Sequence, residues 1–256
     1  MLNSKTIDKI IFLDIESTSQ YPTFKEMPEN FQAIFKKRFR NDFEKFDILN
    51  WDEDKYDKAV EKLYSDKAPL YAEWGKIICI SIGYFLEKNI TNDFAGDLTF
   101  KMKSFFGHEE KKVLKDFHEG LKSVLDASFN HSHHLCAHAG KLFDFPFIAR
   151  RFILNSMPLP VALDYGHKKP WEIDYLVCTL ETWKFGQFDG GITLDMLAAS
   201  FDIESSKVEM DGGDVKRVYY EEKDLVKIER YCKADVAVLA QVYLRMKNMH
   251  NKVTIS

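Results

Sequence analysis

The chain has 256 residues, enough for one large domain or two small ones. It is 45% apolar and 30% charged, the balance of a globular protein rather than a disordered or fibrous one. A formal net charge of −4 means that no global basic field announces nucleic acid. No run approaches the roughly 18 apolar residues of a membrane span, and the N-terminus lacks an apolar signal-peptide core. The four cysteines, Cys79, Cys136, Cys178 and Cys232, are scattered without a C-x-x-C pair. A soluble, cytoplasmic protein with reduced, mostly buried thiols is expected.

Residues 9–16 read as the first strand. Ile10, Phe12 and Asp14 share one face and Ile11, Leu13 and Ile15 the other, so the strand is central and covered on both sides. Residues 17–75 interrupt the sheet. Phe31, Ile34, Phe35 and Phe39, then Ala59, Val60, Leu63 and Tyr64, recur at helical spacing and predict two or three inserted helices. Lys36, Lys37, Arg38 and Arg40 make this insertion locally basic, and it is expected to border a substrate cleft.

Ile77 to Leu86 reads as a strand rich in β-branched residues. A hairpin-like stretch follows over 89–106, with turn signals at Asn92-Asp93 and Gly96-Asp97. Glu109 to Leu125 is an amphipathic helix, His134 to His138 a short strand, and Pro146 suits the first turn of a helix ending near Leu154. A short strand over 171–177 and a helix from Thr193 to Phe201, opened by a Thr cap, come next. Beyond a polar loop at Asp211-Gly212-Gly213-Asp214, the last long helix runs from about Glu222 to Lys247. This order predicts a single mixed α/β domain over residues 1–256, with helices packed on a sheet and an insertion at about 21–74.

Four acids lie in three motifs. In a strand Asp14 and Glu16 point the same way, at the end of an apolar run. Asp144 sits in Phe143-Asp144-Phe145-Pro146-Phe147, just beyond a strand. Tyr231 and Asp235 are one helical turn apart. Alone, each pattern is common: a strand carries two acids by chance, and an aspartate caps a helix. Gathered at one point they would repel one another and take up protons unless a cation compensated, and divalent metals with oxygen ligands do so naturally. The histidines His131, His133, His134 and His138 lack a cysteine pair or an H-E-x-x-H pattern, so a polar loop running into a strand is preferred to a zinc site.

In order and spacing these motifs resemble the Asp-x-Glu, Phe-Asp-x-Pro-Phe and Tyr-x-x-x-Asp signatures of DEDD-type 3′–5′ exonucleases. The tyrosine resembles the DEDDy branch, which includes proofreading domains of DNA polymerases. Glu73 to Ile80, Leu180 to Gly186, Lys207 to Val215 and Tyr231 to Val236 extend the likeness to bacterial predicted exonucleases similar to the exonuclease domain of B-family DNA polymerases. The resemblance implies a ribonuclease-H-like fold with a five-stranded mixed sheet. It also implies two divalent ions, Mg²⁺ or Mn²⁺, held by Asp14, Glu16, Asp144 and Asp235, with Tyr231 orienting the attacking water. The substrate implied is the 3′ end of single-stranded DNA or RNA, DNA favoured, releasing nucleoside 5′-monophosphates. Ser17 and Thr18 would contact the terminal nucleotide and Lys141 a phosphate, with His138 and Phe145 as further substrate-binding residues. No polymerase domain is evident, so any polymerase or repair partner would act in trans; no membrane partner is expected.

Two positions depart from the family pattern. Ala139 stands where relatives usually carry Asn after the histidine, and Cys178 where they often carry Asp. The departures imply a lost polar contact to substrate and a lost structural hydrogen bond. Two other readings are a non-catalytic single-strand-binding module on the same fold and a phosphodiesterase or pyrophosphatase acting on small nucleotides.

Overall fold

The structure is a computed structural model and describes residues 4–44, 52–88, 97–126 and 133–249. Its centre is a five-stranded mixed sheet built from β1 (Ile10–Ser19), β2 (Gly75–Lys88), β3 (Asp97–Phe106), β4 (His134–Ala137) and β5 (Leu176–Cys178), in the order β3-β2-β1-β4-β5. β2 runs antiparallel to both β1 and β3, while β4 is parallel to β1 and β5 to β4. The insertion after β1 supplies α1 (Glu29–Arg38), α2 (Arg40–Glu44) and α3 (Glu53–Lys67). The remaining helices are α4 (Glu110–Asp126), α5 (Asp144–Leu154), α6 (Thr179–Lys184), α7 (Leu194–Ser200), α8 (Val215–Arg217) and α9 (Leu225–Met246).

The two-faced pattern of β1 becomes two cores. Ile11, Leu13 and Ile15 pack with Leu114, Phe117 and Leu121 of α4 and with Phe147, Ile148 and Phe152 of α5. Ile10 and Phe12 pack under Val236, Leu239 and Tyr243 of α9. Phe12 meets Phe85, Phe100 and Tyr243 edge-on, each ring contact adding about 0.5–1.5 kcal/mol to its burial. Gly83 in β2 admits α9 closely: a Cβ there would lie 2.7 Å from Val236 and 2.4 Å from Phe100.

The insertion builds a core of its own around Phe24, Phe35, Tyr64 and Trp74. It is fastened at both ends. Tyr220 donates its hydroxyl to the carbonyl of Ser19 where the chain leaves the sheet. Arg151 of α5, paired with Glu110 of α4, donates to the carbonyl of Ala72 where it returns. Lys216 of α8 adds a bridge to Glu61 of α3.

Several boundaries differ from the sequence reading. β1 runs on to Ser19 because Ser17 to Ser19 pair with Ile77 to Gly75. The fifth strand is only three residues, since 170–172 form a 3₁₀ turn. α9 starts at Leu225 rather than Glu222, because Lys223 turns left-handed (φ 57°) and Asp224 then caps the backbone N–H of Lys227. A π turn over Val218–Glu222 precedes it. α6 was not foreseen; six residues are too short to display a helical period. Thr193 caps α7 as expected, accepting from the N–H of Met196. The turn signal at Asn92-Asp93 lies outside the described residues.

Candidate active site

Asp14 and Glu16 continue the face of β1 that carries Ile10 and Phe12, so both carboxylates meet α9. Immediately beyond, the pairing jumps from Glu16↔Cys79 to Ser17↔Ile77. Ile78 is thus the extra residue of a bulge in β2, a device that bends a strand and re-aims side chains beside functional sites. Tyr231 and Asp235 lie one turn apart on α9, and the Tyr231 hydroxyl faces the Asp235 carboxylate. Ser206 donates a hydrogen bond to Asp235.

Asp144 is the first residue of α5, where the helix dipole favours an anion. The backbone N–H groups of Asp144 itself and of Ile15 in β1 favour its charged form. Burial outweighs them and pushes its pKa up to about 7. Asp14 is held well above its ordinary value by burial, then by the charges of Asp235, Glu16 and Asp144. Glu16 is raised by burial and then by Asp235. Asp235 is raised by burial despite the hydroxyls of Ser206 and Tyr231 and the pull of Lys207. The Tyr231 phenol is also pushed up, by burial and then by Asp235, Glu16 and Asp14, so it stays protonated.

One ligand atom each of Asp14, Glu16 and Cys232 lie within 4.8 Å of one another. Asp144 and Asp235 fall outside that tight group but share its electrostatics. The Oδ2 atom of Asp14 is buried without a hydrogen-bond partner among the described residues. Cys232 donates its thiol to the carbonyl of Asp14, which engages the sulfur, and burial raises its pKa. What remains is a buried set of hard oxygen donors with an orphaned oxygen, which fits Mg²⁺ or Mn²⁺ rather than a thiophilic metal.

The expected substrate contacts fare differently. Phe145 is a correction: it is fully buried in the core, because as the second residue of α5 it turns inward against Gly140. Thr18 is also fully buried, its Oγ1 without a partner, and presents no surface to a nucleotide. Ser17 donates to the carbonyl of Pro69 in the insertion. His138 is bound on both ring nitrogens, Nδ1 to the Thr179 hydroxyl at 2.9 Å and Nε2 to the carbonyl of Ile192 at 2.8 Å. Lys141 pairs with Glu181 at 2.8 Å. In the insertion, Lys36 lies over the Phe24 and Tyr56 rings, Arg38 over Phe39 and Tyr71, and Arg40 pairs with Glu44.

Residues missed in the sequence close the site. Ser206 holds Asp235, while Ser205 and Lys207 on either side engage Asp195 of α7. A Cβ on Gly212 would stand 3.9 Å from the Tyr231 hydroxyl, which brings the Asp211–Asp214 loop to the site's edge. The polar Asp211-Gly212-Gly213-Asp214 loop reads from the sequence as a border of the cleft, whereas Ser206 carries no signal there. Ala139 adopts a left-handed backbone (φ 58°), a conformation in which Asn is favoured over Ala.

Among solved structures the chain is similar to the family B DNA polymerase from the hyperthermophilic archaeon Pyrobaculum calidifontis, with a TM-score of 0.50 and 10% identity. The match covers 92% of this chain and 24% of the polymerase, so the chain spans about a quarter of that protein's length. It supports the fold: a five-stranded mixed sheet flanked by helices, in the ribonuclease-H-like arrangement. No curated protein matches the sequence. Among the described residues no helix is long and apolar enough to cross a membrane. Residues 76–256, which include Asp144, Tyr231 and Asp235 but not Asp14 or Glu16, match the model of a predicted 3′–5′ exonuclease related to the exonuclease domain of PolB, and the chain belongs to that family.

Proposed function

We propose that the protein is a metal-dependent 3′–5′ exonuclease acting as one domain over residues 1–256, which removes nucleoside 5′-monophosphates from single-stranded nucleic acid, DNA in preference to RNA. One observation carries this reading: four mutually repelling carboxylates are gathered in a buried site, with one oxygen of Asp14 left unpartnered. A structural role would not gather such charge without a compensating cation.

Asp14, Glu16 and Asp235 would hold one divalent ion, and Asp14 with Asp144 a second. When bound, such ions lower the pKa of a water and stabilise the leaving oxygen of an in-line displacement. Tyr231, protonated and facing Asp235, orients the water from one side. Ser206 keeps the Asp235 carboxylate in its rotamer, and the N–H of Ile15 favours the charged form of Asp144. The bulge opposite Glu16 sets the angle at which β1 presents both of its acids.

End-labelled DNA and RNA strands with Mg²⁺ or Mn²⁺ test the reading. Stepwise shortening from the 3′ end with release of 5′-monophosphates is expected. Asp14→Ala and Asp235→Ala should each abolish turnover while leaving the circular dichroism spectrum intact. Cleavage at the wild-type rate by either purified, metal-supplied variant would sink the site assignment. Strand binding without mononucleotide release would indicate a non-catalytic binder. A preference for nucleotide dimers over longer strands would indicate a small-nucleotide phosphodiesterase.

A further inference from the structure

The loop between α6 and α7 holds two phenyl rings almost entirely in water. Phe185 is 89% exposed and Phe188 is 93% exposed. Neither exposure is slack. Gln187 donates its N–H to the carbonyl of Lys184, Gly191 to Asp189, and the Lys184 ammonium to the carbonyl of Phe188 at 3.2 Å. Phe185 adopts a left-handed backbone (φ 47°, ψ 38°), a genuine outlier for a bulky residue. The neighbouring Trp183 packs inward against Phe201. Folding energetics favour burying such rings, and strained backbone that persists marks functional segments.

The loop is continuous with the catalytic end of the sheet. β5 is level with β4, Cys178 opposite Ala137, so α6 leaves from the carboxyl edge where Asp144 also lies. His138, the residue after β4, reaches both ends of the segment through Thr179 and Ile192, and Lys141 reaches Glu181. The same segment leads into α7, whose Asp195 holds the two neighbours of Ser206. It therefore spans from the turn that carries the third acid to the strand of chain that steadies the fourth.

We infer that Phe185 and Phe188 form a stacking platform for unpaired bases of the strand entering the active site. This rests on the exonuclease reading for the substrate's chemistry. Every base has a π-face, so two exposed rings on a segment anchored to His138 and Lys141 bind a single strand without reading its sequence. His138 and Lys141 then serve as positioning residues for the platform rather than as substrate contacts.

Phe185→Ala/Phe188→Ala, compared with wild type on a 15-nucleotide strand and on thymidine 5′-p-nitrophenyl phosphate, tests this. The KM ratio between the two substrates should shift by about tenfold or more against the strand, with kcat on the strand little changed. Independently, the emission of Phe188→Trp should be quenched saturably by oligothymidylate with all metal chelated. An unchanged KM ratio together with unquenched emission overturns the platform. Loss of self-association in the double variant with strand binding intact also overturns it, and assigns the rings to a protein contact. If the wild type hydrolyses neither substrate, the exonuclease reading fails, while the quenching titration still decides whether the rings bind bases.

Discussion

At Tyr231 a single hydroxyl separates two functions of one side chain. The ring packs with Ile228 and Cys232, while the oxygen faces the carboxylate of Asp235. Tyr231→Phe keeps the packing and removes only the group proposed to orient water. Hydrolysis should slow by at least about tenfold, roughly 1.4 kcal/mol of transition-state stabilisation. Metal affinity by calorimetry should stay as it was; a variant that lost metal yet kept its rate at saturating metal would refute the role. Ala139 offers a second residue-scale test. Beside the lost polar contact expected from its departure from the family's Asn stands a backbone effect. Its φ of 58° is costly for Ala, and its carbonyl accepts from the N–H groups of Leu142 and Phe143, so the turn is fixed. Ala139→Asn should stabilise the protein by about 0.5–1 kcal/mol, read as a higher midpoint in thermal denaturation.

Between elements, the half-buried Glu110 is the junction that holds α4, α5, β2 and the end of the insertion together. Its carboxylate receives Arg151 and Asn155 of the α5 end and the backbone N–H of Ile77 in β2, and Arg151 reaches on to the carbonyl of Ala72. Glu110→Ala leaves a guanidinium and a strand N–H buried without their partner. Removing one member of such a pair costs about 3–5 kcal/mol, so chemical denaturation should show a loss of that size. A loss below 1 kcal/mol would mean that water already reaches this junction. Of the insertion's exposed basic residues, Lys36 and Arg38 lie over aromatic rings and Arg40 pairs with Glu44.

For the molecule as a whole, the carboxylate site makes stability depend on pH and metal together. Asp144 has a pKa of about 7 in the folded protein against an ordinary 3.8, so between those values the folded state binds its proton more tightly than the unfolded one. Its contribution is complete below 3.8 and is lost as pH rises through about 7. Asp14, Glu16 and Asp235 shift in the same direction. His138 and His133, lowered by burial, act oppositely by costing stability as pH falls below 6.5. With the raised carboxylates outnumbering the histidines, the metal-free melting temperature should fall from pH 5 to pH 8. Mn²⁺ should raise it far more at pH 8 than at pH 5. A metal-free midpoint that climbs over this range, with no response to Mn²⁺, would show that the acids are not the coupled site described.

What lay in the sequence was whatever local backbone geometry dictates. A period of two aims Asp14 and Glu16 together, a period of 3.6 does so for Tyr231 and Asp235, and Pro146 announces the helix that Asp144 opens. The two-faced β1 and the amphipathic α4 and α9 followed from the same periodicities, and the order of motifs pointed to the sheet. Contacts without a period were decided only by the tertiary structure. His138 meets partners 41 and 54 positions away, and Ser206 lies 29 positions from the acid it holds. Phe145 and Thr18 were expected at the substrate, yet packing density around α5 and the end of β1 buried them both. The exposed phenyl rings are the converse: an aromatic residue reads as core in any sequence, and only the closed hydrogen bonding of its loop shows that it is held in water.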